Sequence, residues 1–288
     1  FVFKDIAPRT VLSISLPKSS KVNVPESEQL LIMLSNSQSI ISFEIIATKE
    51  NIKIQFVCRN YDADNLRTQV KAYFPDAVIQ ECADPLMTLF KQANFASVID
   101  LTLREEFMRP LNTASSFNLD PHIGLLASMD LMKDGEFGLI QVLFKGTIYP
   151  WAESILRSVT DNKGECFFDD APEMLDLTKD KVSSPLYSVV IRVLGAGNTQ
   201  HEAHRISERL SNSLYSLYSS SSNALVPIFN ENYDIDMHLE DILMRESHRL
   251  GMLLNSKELV NIVHPPSASV TSQKLVRDIK KTKSAPIN

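Results

Sequence analysis

Two histidines stand three residues apart in His201-Glu202-Ala203-His204, the first place in the chain where chemistry could be expected. A helical zinc hydrolase needs the spacing HExxH, because histidines four residues apart share one helical face and leave the glutamate beside the metal-bound water. Here the spacing is one short and no third ligand is in view, so the pair reads as a solvent-facing helix start; a metal-dependent hydrolase built on it would require zinc to co-purify. Gly195-Ala196-Gly197 sits between a strand-like and a helix-like run, as a dinucleotide loop does, but Gln200 stands where the third glycine belongs, and a plain turn is expected. No GxxxxGK[ST] loop is present to cradle nucleotide phosphates, and no GxSxG elbow presents a serine. Ser219 to Ser222 reads as a polar loop. Trp151, next to Pro150, reads as a core anchor and not as a platform for stacked bases. The residue types therefore offer no catalytic group, no cofactor-binding group and no metal ligand.

The elements that would position any site are clearest in the first eighty residues, where apolar spacing switches between the two-residue rhythm of strands and the 3.6-residue rhythm of helices. Val11, Ile14 and Leu16 mark a strand ended by Pro17, and Glu26 to Ser35 a helix with an acidic, proline-led start. Ile41 to Thr48 and Ile52 to Arg59 flank Lys49-Glu50-Asn51 as a hairpin. Tyr61 to Phe74 is a helix stopped by Pro75, and Ala77 to Gln80 a last strand. The order βαββαβ is that of a ferredoxin-like, split βαβ unit. A weaker copy follows: strand Phe137 to Phe144, helix Pro150 to Val159, strand Leu186 to Leu194, helix Thr199 to Tyr218 and strand Ala224 to Phe229. Its missing hairpin strand is sought at Cys166-Phe167-Phe168.

The expected class is thus α+β, two tandem ferredoxin-like units with a helical or irregular C-terminal linker. Unit 1 spans 1–84, and 85–133 connects it to unit 2, 134–232, with Ser97 to Leu103 as a connecting strand. Residues 160–183 form an acidic insertion in unit 2, and 233–288 form a tail.

Bulk properties narrow the function classes. With 288 residues, 44% hydrophobic and 22% charged, the chain can bury two cores of ordinary size. A net charge of −6 argues against coating nucleic acid through the overall field. Three cysteines without CxxC spacing suit a reducing compartment and neither a disulfide scaffold nor a zinc site. No signal peptide or long apolar run is present, so a cytoplasmic location is expected. Phe1 in place of Met, and the linker-like Ser284-Ala285-Pro286-Ile287-Asn288, suggest a piece of a longer polypeptide.

Several segments resemble the region preceding the motor domain in conjugative coupling proteins of type IV secretion-like systems, relatives of the HerA and FtsK translocases. They are Leu12-Ser13-Ile14-Ser15-Leu16-Pro17 with Glu28-Gln29, Phe74-Pro75-Asp76-Ala77, and Asp120-Pro121 with Gly135-Glu136, Gln141 and Trp151. The most telling are Leu253 to Leu259, His264-Pro265-Pro266-Ser267 and Lys283 to Pro286. In that family such an order precedes the nucleotide-binding strand, which makes Ser256, Glu258, Leu259, His264 and Pro265 a pre-motor motif. Ser256 is expected to cap a short helix, and His264-Pro265-Pro266 to send the chain into an extended run.

The resemblance implies a non-catalytic scaffold at the cytoplasmic face of a bacterial membrane or in the cytosol. It implies a homo-oligomeric ring, with DNA and a protein substrate or channel subunit as partners, in conjugation, secretion or anti-phage defence. No small-molecule substrate and no cofactor belong to this region; ATP and magnesium belong to a P-loop ATPase domain further along. Lys274, Arg277, Lys280, Lys281 and Lys283 are the expected contacts to DNA phosphates or to the ring, since each neutralised phosphate releases counterions. The other reading is a stand-alone tandem ferredoxin-like adaptor that recruits a protein partner through a sheet edge.

Overall fold

Asn23, Pro25 and Glu26 start the first helix: the Asn23 side chain accepts from the Glu26 N–H at 2.9 Å, and Pro25 occupies the first turn, where no backbone donor is needed. In this computed structural model, which describes residues 8–113, 120–147, 151–228 and 233–277, that helix is α1 (Val24–Leu34) and follows strand β1 (Arg9–Ser15). Strands β2 (Ile41–Ala47) and β3 (Ile52–Arg59) form the expected hairpin, closed by the Thr48 N–H donating to the Asn51 carbonyl at 2.9 Å. Helix α2 (Asn60–Tyr73) and strand β4 (Val78–Cys82) complete the first six elements in the order the spacing suggests.

The later elements are α3 (Leu86–Gln92), β5 (Phe95–Leu103), α4 (His122–Met129), β6 (Phe137–Gly146), α5 (Trp151–Val159), α6 (Met174–Lys181), β7 (Leu186–Gly197), α7 (Gln200–Tyr218), β8 (Leu225–Pro227), α8 (Ile235–Met244), β9 (Met252–Asn255) and α9 (Ser256–Leu259). Their pairing differs from the sequence expectation. The supposed connecting strand is β5, which lies between β7 and β8 and is therefore integral to the sheet. The hairpin partner of β7 is β6, paired from Phe137↔Ala196 to Gly146↔Tyr187. Cys166 meets Thr160 in an isolated bridge and joins no named strand, and Phe167 is exposed. Strand alternation is visible at 137–144, but the long excursion between β6 and β7 hides that they are neighbours.

All strand pairs are antiparallel, in the order β4-β1-β3-β2-β6-β7-β5-β8, with β9 added against the first part of β7. One sheet thus runs through both halves, joined at β2–β6. Residues 233–277 are no loose tail: α8, β9 and α9 are packed elements, and Leu254, Leu259, Val260, Ile262 and Val263 are buried. The His264-Pro265-Pro266 stretch is likewise buried, and the chain there is outside any helix. Apolar side chains at this density cannot be left in water when each fully buried Leu or Ile stabilises by about 1.5–3 kcal/mol.

Because strand side chains alternate, the sheet has two distinct faces. Phe43, Ile45, Ile54, Phe56, Ile140, Val142, Ile191 and Val193 join the main core, which includes buried residues of α1, α2, α4, α7 and α9. Helix α7 lies directly on the sheet: a Cβ at Gly195 would stand 2.3 Å from the Ala203 carbonyl oxygen. Ile46, Leu139, Phe137, Val98 and Leu194 face the opposite way, under Leu86 of α3 and Ile242 of α8. No helix among the described residues is long and apolar enough to cross a membrane.

Candidate functional site

A row of polar side chains crosses the middle of the second face. Gln55, Glu44, Gln141, Arg192 and Asp100 are successive register partners on β3, β2, β6, β7 and β5, so alternation sends all five to one side. All are buried. Helix α8 closes over them, capped at its start by the Asp234 side chain and ended by Arg245 in the left-handed conformation, φ 51°. That turn lets the Arg245 guanidinium reach back to Glu44, donating from Nε at 2.9 Å and from Nη2 at 3.1 Å. Gln55 and Gln141 donate to the same carboxylate at 2.7 and 2.9 Å, and Ser42 at 2.8 Å. Arg245 also pairs with Asp84. Burial alone would lower the Arg245 pKa, but Glu44 and Asp84 outweigh it and hold the guanidinium more firmly protonated than usual.

The other end of the row is less well matched. His238 Nε2 lies 2.9 Å, and Arg249 Nη1 3.3 Å, from Asp100 Oδ2. Yet these three atoms, with Gln141 Oε1 and Arg192 Nε, make no directed hydrogen bond among the described residues. Burial pushes the Arg192 pKa down against the pull of Asp100, Asp241 and Glu44. Asp241 itself accepts from the Tyr233 hydroxyl at 3.0 Å and contacts His248 Nδ1 at 2.6 Å.

A second polar cluster lies on the main-core side and fastens the stretch after α8. Lys181, at the end of α6, and Glu258, in α9, are both fully buried and meet at 2.6 Å. The Glu258 carboxylate also accepts from the backbone N–H groups of Leu111 (2.7 Å) and Asn255 (2.8 Å). Burial pulls the Lys181 pKa down despite Glu258. Asn255, not Ser256, is the cap of α9: its side chain accepts from the Glu258 N–H while Glu258 returns the bond. A capping box needs its acid three residues on, which Asn255 has and Ser256 lacks. Ser256 instead donates to Glu28 at 2.6 Å, tying α9 to α1.

Nearby, Asp120, His122 and His264 come together from positions 144 residues apart in sequence. The two imidazoles stack at 3.9 Å, 8° from parallel. Asp120 Oδ1 lies 3.1 Å from His264 Nε2, and Oδ2 accepts from the Ser267 N–H at 2.6 Å. His264 Nδ1 faces the Val260 carbonyl at 2.8 Å, and His122 Nε2 the Ile262 carbonyl at 3.0 Å. Burial alone would raise the Asp120 pKa; the His264 hydrogen bond, the two imidazoles and the Ser267 N–H together hold it well below the carboxylate range. Burial, then the neighbouring His264, pushes His122 down to about 3.

The residues singled out from the sequence fall in two groups. Ser256, Glu258, Leu259, His264 and Pro265 are all buried and all serve to pack the C-terminal segment onto the body. Lys274 donates to the Asp130 and Met132 carbonyls at 2.7 and 3.2 Å, and Arg277 to those of Leu16, Ser267 and Val270, so both hold residues 274–277 to the body. Lys280, Lys281 and Lys283 lie outside the described residues. His201 and His204 are exposed, with His204 3.3 Å from Glu208. Gly195-Ala196-Gly197 is the end of β7, not a turn. Trp151, expected in a core, is half exposed and borders a cleft of about 750 Å³ with Lys145, Ser37 and Ser184. Of the buried row, sequence reasoning touches only Gln141, through the resemblance; the available signal is a charged or amide side chain inside an apolar strand run, as Glu44 is in Ile41–Ala47.

The antiparallel sheet and its helices define an α+β protein that buries several clusters of polar and ionisable side chains. By sequence, the chain belongs to the family described as Domain of unknown function (DUF8128), whose profile matches residues 21–165. That match begins before α1 and runs past α5, across the β2–β6 junction. No curated protein matches. Among solved structures, the chain is similar to a berberine bridge enzyme variant, a reticuline dehydrogenase, at 10% identity and a TM-score of 0.29. The similarity covers 75% of this chain and 42% of that one, so the chain spans less than half the length of that structure.

Proposed function

We propose that the chain is a non-catalytic scaffold of two ferredoxin-like units, and that it forms the N-terminal, substrate-engaging region of an ATP-driven DNA translocase of the conjugative coupling type. The observation that carries the scaffold reading is the strand order. Outward from the β2–β6 junction, the first half reads second, third, first, fourth strand, and the second half, β6-β7-β5-β8, reads the same. Each half would be one split βαβ unit, with the second interrupted by α5 and α6. The segment resembling the family's pre-motor stretch is fastened by buried ion pairs and caps, as suits a fixed connection to a ring. In this reading ATP and magnesium act in a domain after Asn288, the assembly is a ring, and Lys280, Lys281 and Lys283 are left to meet DNA phosphates.

Two measurements test it. The coding DNA beyond the Asn288 codon is expected to encode a GxxxxGK[ST] loop within some tens of residues; a stop codon or an unrelated domain there sinks the translocase reading. The purified 288-residue chain, with linear duplex DNA, is expected to release no phosphate from ATP; turnover would overturn the scaffold reading itself. The adaptor reading gains from one observation: among the described residues β4 pairs only with β1, and Glu81 and Cys82 on it are exposed, so that edge of the sheet is available to an added strand. It predicts no Walker loop downstream.

A further inference from the structure

We propose that Asp120, His122 and His264 form a binding site for one divalent first-row transition metal ion of the zinc class, which clamps the 260–267 segment to the start of α4. One donor atom from each of the three residues lies within 4.8 Å of the other two, and all three residues are buried. The ring bonds assign the tautomers. His122 directs Nε2 at the Ile262 carbonyl, so its N–H belongs there, and Nδ1 is left bare, fully buried and without a hydrogen-bond partner among the described residues. His264 directs Nδ1 at the Val260 carbonyl, which leaves Nε2 facing Asp120 Oδ1. In metal centres a ligating histidine commonly donates its other ring N–H to a backbone carbonyl or carboxylate, which fixes the ring and raises its basicity. Both rings here have that support before any ion is considered.

Two imidazoles and one carboxylate make an N2O donor set suited to zinc or iron(II). Asp120 is fixed in place by the Ser267 N–H, which donates to its Oδ2 at 2.6 Å, so its Oδ1 is turned toward the two rings. In this arrangement the ion would take the place between His264 Nε2 and Asp120 Oδ1, which now face each other at 3.1 Å. The parallel stack must open as well, because lone pairs of stacked rings run side by side and converge on one ion only when the rings tilt. Sequence spacing could not show this set, since HExxH-type patterns work only for ligands on one helix.

The test uses tag-free full chain loaded with zinc and dialysed against metal-free buffer. Elemental analysis is expected to find one zinc per chain, and zinc addition to move the ring ¹⁵N signals of His122 and His264 but not those of His201 and His204. His122→Gln, with its fold checked by circular dichroism, should weaken zinc binding by more than about tenfold, the least expected when even an outer-shell contact is lost. The double variant His201→Ala/His204→Ala should keep its zinc. Zinc no higher than the buffer blank in the unmodified chain overturns the proposal, and so does zinc that disappears with the His201/His204 pair.

Discussion

Two parts of the C-terminal segment are fastened to the same sheet by buried charge, and they are fastened differently. On the main-core side, Glu258 receives Lys181 and two backbone N–H groups, and its helix is closed by a reciprocal cap. On the opposite side, α8 lies over a row in which Glu44 is well served but Asp100, Gln141, Arg192, His238 and Arg249 each carry an atom without a directed partner. A buried polar atom left unpaired costs about 1–3 kcal/mol; that applies to Gln141 Oε1 and Arg192 Nε, while Asp100, His238 and Arg249 offset part of it through their ion-pair contacts. The difference teaches that β9 and α9 are built as fixed structure, whereas α8 covers its face at a local disadvantage.

The largest effect is expected at the satisfied cluster. Lys181→Met strands the Glu258 carboxylate, and a shift in urea midpoint equivalent to about 3–5 kcal/mol is expected. Adding Glu258→Gln should restore part of that, because no buried charge is then left unpaired and the one amide carbonyl still accepts from either Leu111 or Asn255, though not from both. If Lys181→Met costs no more than a surface substitution, the pair does not fasten the segment. A step smaller is Gly195→Ala, which places a methyl 2.3 Å from the Ala203 carbonyl and 2.5 Å from the Ser207 nitrogen. Pushing α7 off β7 should cost about 1–3 kcal/mol. By contrast Gly124→Ala, in α4 with nothing within 4 Å of the added Cβ, should stabilise by about 0.4–1 kcal/mol.

How much of this can be read from sequence follows the range of the interactions. The first six elements are legible because each is set by residues within a few positions: Asn23 with Pro25 and Glu26, the alternation of Ile41–Ala47, Pro75 after α2. The second half misleads where neighbours in the sheet are far apart in the chain. β6 and β7 are separated by α5, α6 and their loops, and β5 gives no local sign that it runs between β7 and β8. The site is less legible still. Glu258 and His264 stand out by resemblance, but their partners Lys181, Leu111 and Asp120 come from elsewhere in the chain. Glu44, Gln141, Arg192 and Asp100 each look like an isolated charged or amide side chain in a mainly apolar strand, and only strand register makes them a row.

The two sides should also differ in which opens first. If α8 rests on incompletely paired groups, its amides should exchange through local opening at least about tenfold faster than those of β9 and α9, a difference of roughly 1.4 kcal/mol. Equal protection would erase the contrast between the two sides. Cys58 supplies the matching reporter for the main core: it is buried there, on β3, while Cys82 is exposed on β4. A thiol reagent should label Cys82 in the folded chain and reach Cys58 only at the rate of global unfolding, slower than α8 exchange. Burial, and then the charge of Asp62, pushes the Cys58 thiol up to about 12 from 9.0. The unfolded chain therefore loses this proton first as pH rises. Stability from the protonated thiol is complete below about 9 and falls away toward 12. Cys58→Ala should flatten that part of the alkaline slope relative to the unmodified chain. An unchanged slope would mean that the thiol is hydrated in the folded protein and that the main-core side is looser than its packing implies.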